Sequence, residues 1–357
     1  MTDAPAFFRA IEAGSDDDTP RLVYADWLDE NAAGAADRAR AELIRVQCAC
    51  VHDLDRRAAL EARAEQLLTE QAAWTADWPV QPLNPIYHRG FIDPVTLPGA
   101  QFGPHADQLV ELTPLFHLRL VRARGAMRAV AACPQLARVR RLTLTGAWLR
   151  NPDMTDFAPV RYLGCLQYLD VSHNQIGRRG ATDLAVTRAP VLRSLNISQN
   201  PPLKDSGIQA IAQADWPALE HLDASESGLG AAGVIGLAES SLSERLRSLQ
   251  LSRNPEVTPF AWARLARAPW ARLERLDIST SAVMDDTAEA LAANPALVNL
   301  RVLHLGAATV TDRGARAILN SPYLRGLTRL RLPDQHLDNT LKEQLRARFG
   351  AGFNPGS

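Results

Sequence analysis

The sequence is poor in cysteine, and its four cysteines form no metal-binding or disulfide pattern. Cys48, Cys50, Cys133 and Cys165 include no C-x-x-C pair, and no histidine lies at zinc-finger spacing from them. Because Cys48 and Cys50 are only two positions apart, an ordinary disulfide bridge between them is disfavoured. We therefore expect no zinc module and no disulfide framework, and we predict a reduced, cytoplasmic setting.

Long apolar runs are also missing from the sequence. No window reaches about 18 consecutive apolar residues, the length of a membrane-spanning helix. The segment 1–18 is acidic and has no apolar stretch of signal-peptide length. We therefore predict neither a membrane segment nor a secretion signal.

The net charge is only −1, so no global electrostatic field favours nucleic acid or an anionic membrane. This balance conceals a difference between two parts of the chain. Residues 1–80 carry 8 Arg against 16 Asp and Glu, whereas residues 81–357 carry 31 Arg and Lys against 24 Asp and Glu. The first part is therefore acidic and the second part is basic.

What the sequence does contain is a leucine motif, L-x-x-L-x-L-x-x-N, that recurs at a nearly fixed step of 24 to 27 residues. Its second leucine falls at Leu118, Leu142, Leu169, Leu195, Leu222, Leu249, Leu276, Leu303 and Leu330. A period of this length predicts a solenoid in which each repeat is a short strand followed by a helical return. The predicted fold is therefore α/β, with a parallel inner sheet and outer helices.

The residues before the repeats follow a different pattern, with apolar residues at helical spacing such as Leu22, Val23 and Leu28. A proline-rich passage around residues 79–85 separates them from the repeats. We predict an α-helical domain over 1–80, a solenoid over 81–349 and a disordered tail over 350–357.

Two resemblances add to this interpretation. The 27-residue step resembles the ribonuclease-inhibitor-like class of leucine-rich repeats, which implies a horseshoe that binds protein on its concave side and has no catalytic role. Residues 3–47 resemble the bacterial repeat-companion domain, through PRLVYADWLDE at 20–30 and RAELIRVQ at 40–47. An Ala-rich loop at 31–39 departs from that pattern, and the companion family implies no activity.

The best candidates for binding lie between the two inner apolar residues of each predicted strand, where side chains of successive strands form a row. The row and its neighbours are polar, acidic in the middle and basic at both ends. We predict that the partner-binding residues of the concave face are Arg119, Arg141, Tyr168, Asp170, His173, Asn196, His221, Asp223, Gln250, Arg275, Asp277, His304, Arg329 and Arg331. An ordinary solvated face is the alternative interpretation.

Motifs that suggest chemistry have plainer explanations. The run GLGAAG at 228–233 matches the dinucleotide fingerprint G-x-G-x-x-G, but Gly230 and Gly233 share a repeat phase with Gly177 and Gly180. The serines at 172, 198, 225, 252 and 279 form a column, and a nucleophile among them would need a base and an orienting acid. His173 follows Ser172, but on a strand its side chain points largely away from that hydroxyl. We therefore predict no catalytic residue and no cofactor.

The aspartates of the row are also poor metal ligands. Asp170, Asp223 and Asp277 lie two strands apart, roughly 10 Å by the usual strand spacing, whereas ligands that share a metal must lie within ~2–2.6 Å of it. We therefore predict no metal site.

Seven arginines cluster at the start of the repeats, and no acidic residue occurs between Leu112 and Pro152. They are Arg119, Arg122, Arg124, Arg128, Arg138, Arg140 and Arg141. Nucleic acid is one ligand for such a cluster. We favour an intramolecular contact with the acidic helical domain, because the two parts of the chain carry opposite charge.

The sequence thus predicts a non-enzymatic protein-binding module whose partner is an unidentified protein. Two alternatives stay open. One is a small-GTPase activator of leucine-rich-repeat type, by analogy of fold alone. The other is an intramolecular regulator in which the helical domain caps the solenoid.

Overall fold

The structure is a computed structural model that describes residues 4–14, 16–70, 74–279, 281–306, 309–335 and 337–355. The chain forms two compact units, Met1–Thr143 (unit 1) and Leu144–Ser357 (unit 2). The domain boundary predicted at residue 80 lies inside unit 1 and stays a prediction. Among the described residues, every helix falls short of the length and apolar character that crossing a membrane requires.

Unit 1 begins with a helical region, as the sequence predicts. Its helices are α1 (Ala4–Ala13), α2 (Thr19–Glu30), α3 (Ala35–His52) and α4 (Arg57–Leu67), followed by a 3-10 turn at Leu68–Glu70. Pro20 suits the first turn of α2, where its missing N–H is not needed. The buried ring of Phe8 on α1 packs edge-on against Phe91, with ring centroids 6.1 Å apart. Apolar packing of this kind ties the helices to the strands that follow.

The residues that carry the repeat-companion resemblance pack the helical region together. The ring of Trp27 stacks on that of Tyr24, with centroids 5.8 Å apart and planes 14° apart. Arg45 on α3 bridges the carboxylates of Asp26 and Asp29 on α2, at 2.7 and 2.6 Å. These contacts account for the aromatic and acidic residues of the motif as packing and partly exposed ion pairs.

The remaining elements of unit 1 are strands and their helical returns. The short strands β1 (Tyr87–His88) and β2 (Phe91–Ile92) pair antiparallel. The strands β3 (Val95–Pro98), β4 (His117–Val121) and β5 (Arg141–Thr143) pair in parallel. The returns contain α5 (Gly99–Leu112), α6 (Met127–Ala131) and a 3-10 turn at Pro134–Arg138. Unit 1 thus contains the first strand-and-helix repeats.

Unit 2 continues the same pattern with further strands. They are β6 (Tyr168–Asp170), β7 (Ser194–Asn196), β8 (His221–Asp223), β9 (Ser248–Gln250), β10 (Arg275–Asp277), β11 (Val302–His304), β12 (Arg329–Arg331) and β13 (Phe353–Asn354). Each strand pairs in parallel with the next one along the chain. The order in the sheet therefore follows the order in the sequence, as it must in a solenoid.

Helices return the chain from one strand of unit 2 to the next. They are α7 (Asn151–Phe157), α8 (Arg178–Ala185), α9 (Lys204–Ala212), α10 (Ala231–Glu239), α11 (Leu242–Arg245), α12 (Pro259–Ala266), α13 (Asp285–Ala293), α14 (Asp312–Asn320) and α15 (Asn339–Phe349), with 3-10 turns at Pro295–Asn299 and Gly350–Gly352. The motif leucines are buried between sheet and helices. Their burial stabilises each repeat by about 1.5–3 kcal/mol per side chain.

Three buried asparagines, Asn174, Asn200 and Asn254, fasten each turn to the preceding repeat. The Nδ2 group of Asn200 donates to three carbonyl oxygens, among them that of Val171 at 3.0 Å. Its Oδ1 atom accepts from the N–H of Ile176 at 2.9 Å. The asparagine of the motif therefore satisfies backbone groups of two successive turns that would otherwise be buried without partners.

The C-terminal segment differs from its prediction. The sequence predicts a disordered tail over 350–357, but Gly350–Gly352 forms a 3-10 turn and Phe353–Asn354 forms β13. Phe353 is buried and pairs with Leu330 on β12. The tail is ordered there because one aromatic side chain can extend the apolar core by a last strand. Residues 356 and 357 lie outside the described residues.

Candidate partner-binding surface

Two rows of side chains cross the sheet of unit 2 in strict register. The central row consists of Asp170, Asn196, Asp223, Gln250, Asp277, His304 and Arg331. The flanking row consists of Tyr168, Ser194, His221, Ser248, Arg275, Val302 and Arg329. The leucine between the two rows is buried on every strand, so both rows project from the opposite face of the sheet.

Twelve of the fourteen predicted binding residues belong to unit 2, and two belong to unit 1. Arg119 lies on β4 and Arg141 lies on β5, and both are exposed. Arg119 is in register with Thr143, which accompanies Arg141 on the same strand. The structure thus places these two arginines on the repeats of unit 1.

His173 is the predicted residue that the strands do not carry. It follows the end of β6 in the turn and has a left-handed backbone with φ of 56°. Its backbone N–H donates to the carbonyl oxygen of Ser198 at 3.1 Å, and its side chain is exposed. His173 therefore belongs to the turn edge of the sheet and to neither row.

Asp170 is held by its own neighbours. Its Oδ1 atom accepts from the backbone N–H of Ser172 at 2.9 Å and from the hydroxyl of Ser172 at 2.6 Å. Its Oδ2 atom accepts from the hydroxyl of Tyr168 at 3.1 Å. The side chain is only 8% exposed. Both oxygens are therefore occupied, and Asp170 contributes to the surface mainly through its charge.

Asp277 is satisfied in the same manner. Its Oδ1 atom accepts from the N–H and the hydroxyl of Ser279 at 3.0 and 2.6 Å. Its Oδ2 atom lies 3.4 Å from Nδ1 of His304, the next residue in the central row. Burial raises the pKa of Asp277, but the hydrogen bonds from His304 and Ser279 together outweigh it, so the net pKa is lowered.

Asp223 differs from the other two aspartates of the central row. The backbone N–H of Ser225 donates to its Oδ1 atom at 2.9 Å. No cationic side chain of the described residues forms an ion pair with it. Burial raises the pKa of Asp223 above its usual value, and the charges of Asp277 and Asp170 add to that effect against the hydrogen bonds from Ser225. Asp223 is therefore the carboxylate in the row with the least compensation.

The side chains around Asp223 also have spare hydrogen-bonding capacity. Among the described residues, the side chains of Ser194, His221, Ser248 and Gln250 form no hydrogen bond or ion pair. These four residues lie next to Asp223 on its own strand or on the two strands that flank it. We call this group, together with Asp223 and Asn196, the polar centre. It contains donors and acceptors that only solvent or a partner satisfies.

The serine column has a structural role. The hydroxyl groups of Ser172 and Ser279 donate to the aspartates two positions before them, and that of Ser198 donates to Asn196 at 2.7 Å. Each of these hydroxyl groups donates to a carboxylate or amide oxygen of its own repeat, whereas an activated serine donates to a general base such as imidazole. These three serines therefore stabilise the turns that follow their strands.

The glycine-rich run has a structural role as well. The N–H of Gly230 at the start of α10 donates to Oδ1 of Asp205 at 2.5 Å. In an earlier repeat, the N–H groups of Gly177 and Gly180 donate to Oδ1 of Asn151. The helix N-terminus that would bind a pyrophosphate is therefore occupied by a carboxylate, which would repel an anion. The described residues likewise contain no group of three His, Cys, Asp or Glu side chains that could hold a metal ion.

A sequence pattern predicts that these aspartates accept hydrogen bonds from their own repeats. The alternation of apolar and polar residues alone does not reveal it. Asp170, Asp223 and Asp277 are each followed two positions later by serine. An aspartate commonly accepts a hydrogen bond from the backbone two residues on, in an Asx turn. The spacing D-x-S therefore predicts the occupied Oδ1 atoms. What it cannot predict is which Oδ2 atom finds a partner across the sheet.

Comparison with known proteins agrees with this architecture. The leucine-rich repeat family matches residues 165–185 and 189–212. The fold is a leucine-rich-repeat fold. Among curated proteins, none matches the sequence.

Solved structures that are similar to the chain include the following two. One is an internalin from Listeria monocytogenes, with 17% identity over 69% of each chain and a TM-score of 0.43. The other is the Rad7 and Elc1 complex of yeast, with 15% identity over 73% of this chain and 74% of that chain, and a TM-score of 0.44. Likenesses at this level say nothing about what the present chain binds.

Proposed function

We propose that this chain is a non-enzymatic binding protein and that the polar face of the unit 2 sheet is the surface that contacts a protein partner. The observation that carries the proposal is the pair of rows, polar except at Val302, that run in register over seven strands. Six steps at about 4.8 Å give a surface roughly 29 Å across. Repeat proteins commonly bind their partners on such an extended sheet face.

Two features support binding over catalysis. The polar centre offers hydrogen-bonding groups without partners in the described part of the chain. Of the five serines in the column, which are the nearest candidates for a nucleophile, the hydroxyls of Ser172, Ser198 and Ser279 donate to Asp170, Asn196 and Asp277. A surface of this composition recognises a ligand by complementary hydrogen bonds and charge.

Affinity capture from the native cell extract tests the proposal. The variant Ser248→Trp places a bulky neutral side chain in the flanking row without changing the charge. The matched control is Thr182→Trp, at an exposed position on α8. We expect Ser248→Trp to lose proteins that the wild type and the control both retain. Equal recovery by all three baits would count against the sheet face as the binding surface.

A second role is favoured for the helical region, that of a cap on the first repeats within unit 1. The carboxylate of Glu12 at the end of α1 lies 3.6 Å from the guanidinium of Arg138. Arg140 donates to the carbonyl oxygen of Ala13 at 2.8 Å. We propose that this contact between the acidic helices and the basic start of the repeats covers the apolar end of the array. Proteolysis at increasing salt tests it, because screened ion pairs would expose residues 1–80 to earlier cleavage.

Two further predictions stay proposals. A cytoplasmic, bacterial setting is supported by four unpaired cysteines and by the resemblance of residues 3–47 to the repeat-companion domain. The small-GTPase activator remains an alternative that rests on the class of fold alone, since no contact of the described residues is specific to it. Measurement of GTP hydrolysis by candidate small GTPases in the presence of the chain tests that alternative.

A further inference from the structure

The three aspartates of the central row differ in how much of their charge the protein itself compensates. Asp170 has both oxygens bonded, to Ser172 and Tyr168. Asp277 has one oxygen bonded to Ser279 and the other beside His304. Asp223 accepts from Ser225 at Oδ1 and has no cation within ion-pair distance in the described part of the chain. Of these three carboxylates, Asp223 is therefore the one whose second oxygen remains available.

The position of Asp223 makes that oxygen selective for a positive charge. Asp170 and Asp277 lie two strands away on either side, at roughly 10 Å by the usual strand spacing. Their charges add a negative potential at the centre, and after burial they contribute to the raised pKa of Asp223. Among the charged residues of the two rows on β6 to β10, three are aspartates and one is an arginine, Arg275, which is in register with Ser248. The other arginines of the rows, Arg329 and Arg331, lie on β12. A cationic group is therefore attracted to the centre, and an anionic group is repelled from it.

The groups around Asp223 suit the head of a long cationic side chain. In the central row, Gln250 is in register with Asp223, and its amide forms no hydrogen bond with the described residues. In the flanking row, His221 and Ser248 supply a ring and a hydroxyl on the same two strands. A guanidinium has five donors in a plane, and an ammonium has three, so both need several acceptors around one carboxylate.

We infer that Asp223 anchors an arginine or lysine side chain of the protein partner, which seats in the polar centre between β7 and β9. This inference rests on the proposed function of the sheet face. It commits to a cationic residue of a polypeptide. The central row contacts the partner, and Asp223 forms the charge-specific contact. Asp170 and Asp277 add to the negative potential at that point.

Selection from a displayed library of random dodecapeptides on the full-length chain tests the inference without knowledge of the natural partner. The decisive variant is Asp223→Asn, which keeps the shape and removes the charge. The matched controls are Asp170→Asn and Asp277→Asn, which lose the same charge from sites already satisfied. Gln250→Ala is a second variant at the polar centre, and Ser248→Trp blocks the sheet face as a whole. Circular dichroism checks that each variant is folded.

We expect the selected peptides to share one arginine or lysine, and their affinity to fall about tenfold or more with Asp223→Asn. The controls at positions 170 and 277 should change it by no more than about threefold, and Gln250→Ala should weaken it measurably. Replacing the shared cation of a peptide by alanine should abolish the difference between wild type and Asp223→Asn.

Two other outcomes separate the inference from the proposed function. Peptides that Ser248→Trp blocks but that lack a cation, or that ignore Asp223→Asn, overturn the inference and leave the sheet face as a binding surface. Peptides that bind Ser248→Trp as tightly as the wild type overturn both. A library that yields no enriched peptide also overturns the inference, because a charge-specific anchor of this kind should select at least a short cationic sequence.

Discussion

The carboxylate of Glu12 accepts a hydrogen bond from the backbone N–H of Leu115 at 2.8 Å, across 103 positions of the chain. Both residues belong to unit 1, and the side chain of Glu12 is only 7% exposed. Burial raises the pKa of Glu12, while the hydrogen bond from Leu115 and the charge of Arg138 lower it, and the net shift is upward. The helical region is thus joined to the first repeats by a carboxylate in an unfavourable environment for charge.

We predict that Glu12→Ala destabilises the protein by about 1–3 kcal/mol, because the N–H of Leu115 is left buried without an acceptor. Glu12→Gln keeps an acceptor oxygen and removes the buried charge, so we expect it to be neutral or stabilising at pH 7. Urea unfolding of the three proteins measures both changes. If Glu12→Gln costs as much as Glu12→Ala, the ion pair with Arg138 dominates instead.

The raised pKa of Glu12 also predicts a pH dependence. Its contribution to the free energy of unfolding is fully present below the unfolded value near 4.5 and is lost as the pH rises through the higher folded value. The wild type should therefore lose free energy of unfolding as the pH rises from about 4.5 through the folded pKa of Glu12, and Glu12→Gln should not show this loss. Unfolding curves over pH 4–8, compared between wild type and variant, check this sign.

The pKa values of Asp223 and Asp277 should shift in opposite directions from their usual value of 3.8. Burial raises the pKa at both sites, but at Asp277 the hydrogen bonds from His304 and Ser279, with the charge of His304, together outweigh burial. The contribution of Asp277 is present above 3.8 and lost as the pH falls through its lower folded pKa, whereas that of Asp223 is lost as the pH rises through its higher one. Carboxyl carbon shifts in an NMR titration would measure both values. The reverse order would contradict the difference in compensation between the two aspartates.

Gly233 on α10 lies against Asp205 of the preceding repeat, and a Cβ atom there would lie 2.6 Å from Oδ1 of Asp205 and 2.8 Å from Cγ2 of Ile208. We therefore predict that Gly233→Ala lowers the free energy of unfolding by about 1–3 kcal/mol. Gly164→Ala is the matched control, because nothing lies within 4 Å of its Cβ position. Equal stability of the two variants would show that close packing does not explain why glycine occupies this position of the repeat.

Asn200 is fully buried and bonds backbone groups of two repeats. Asn200→Ala should cost about 3 kcal/mol, because several buried polar groups lose their partners at once. Asn200→Ser should cost less, since the chain already uses Ser227 at this phase and its hydroxyl donates to the carbonyl oxygens of Ile197 and Ser225. Chemical unfolding ranks the two variants, and a larger loss for serine would argue against the equivalence of the two positions.

The repeat architecture was predictable because it depends on a local rule that the chain repeats many times. A leucine at Leu222 and another at Leu249 have the same environment, so one pattern predicts every strand of the array. The end of the chain lacks that redundancy. Whether Phe353 adds a last strand depends on one aromatic side chain and on the edge of β12, which no periodicity reveals.

The sheet face that we propose as the binding surface was predictable in part. The alternation of Leu and polar residues gives the face of each strand, and the sequence thus identifies the central row. It cannot tell Asp223 from Asp277, because the difference lies in what the neighbouring strand contributes. His304 lies beside Asp277, whereas Gln250 lies beside Asp223, and only the register between strands decides these pairs. The sequence pattern also groups His173 with this surface, but that residue occupies a turn with a left-handed backbone.

Site-specific photo-crosslinking in the native extract tests the central claim most directly. A photoreactive phenylalanine analogue replaces His221, an exposed residue of the flanking row, and a second protein carries it in place of Thr182 on the outer helix α8. We expect a discrete adduct with another protein at position 221 and none at position 182. Adducts at position 182 with none at position 221 would contradict the assignment of the sheet face as the surface that binds the partner.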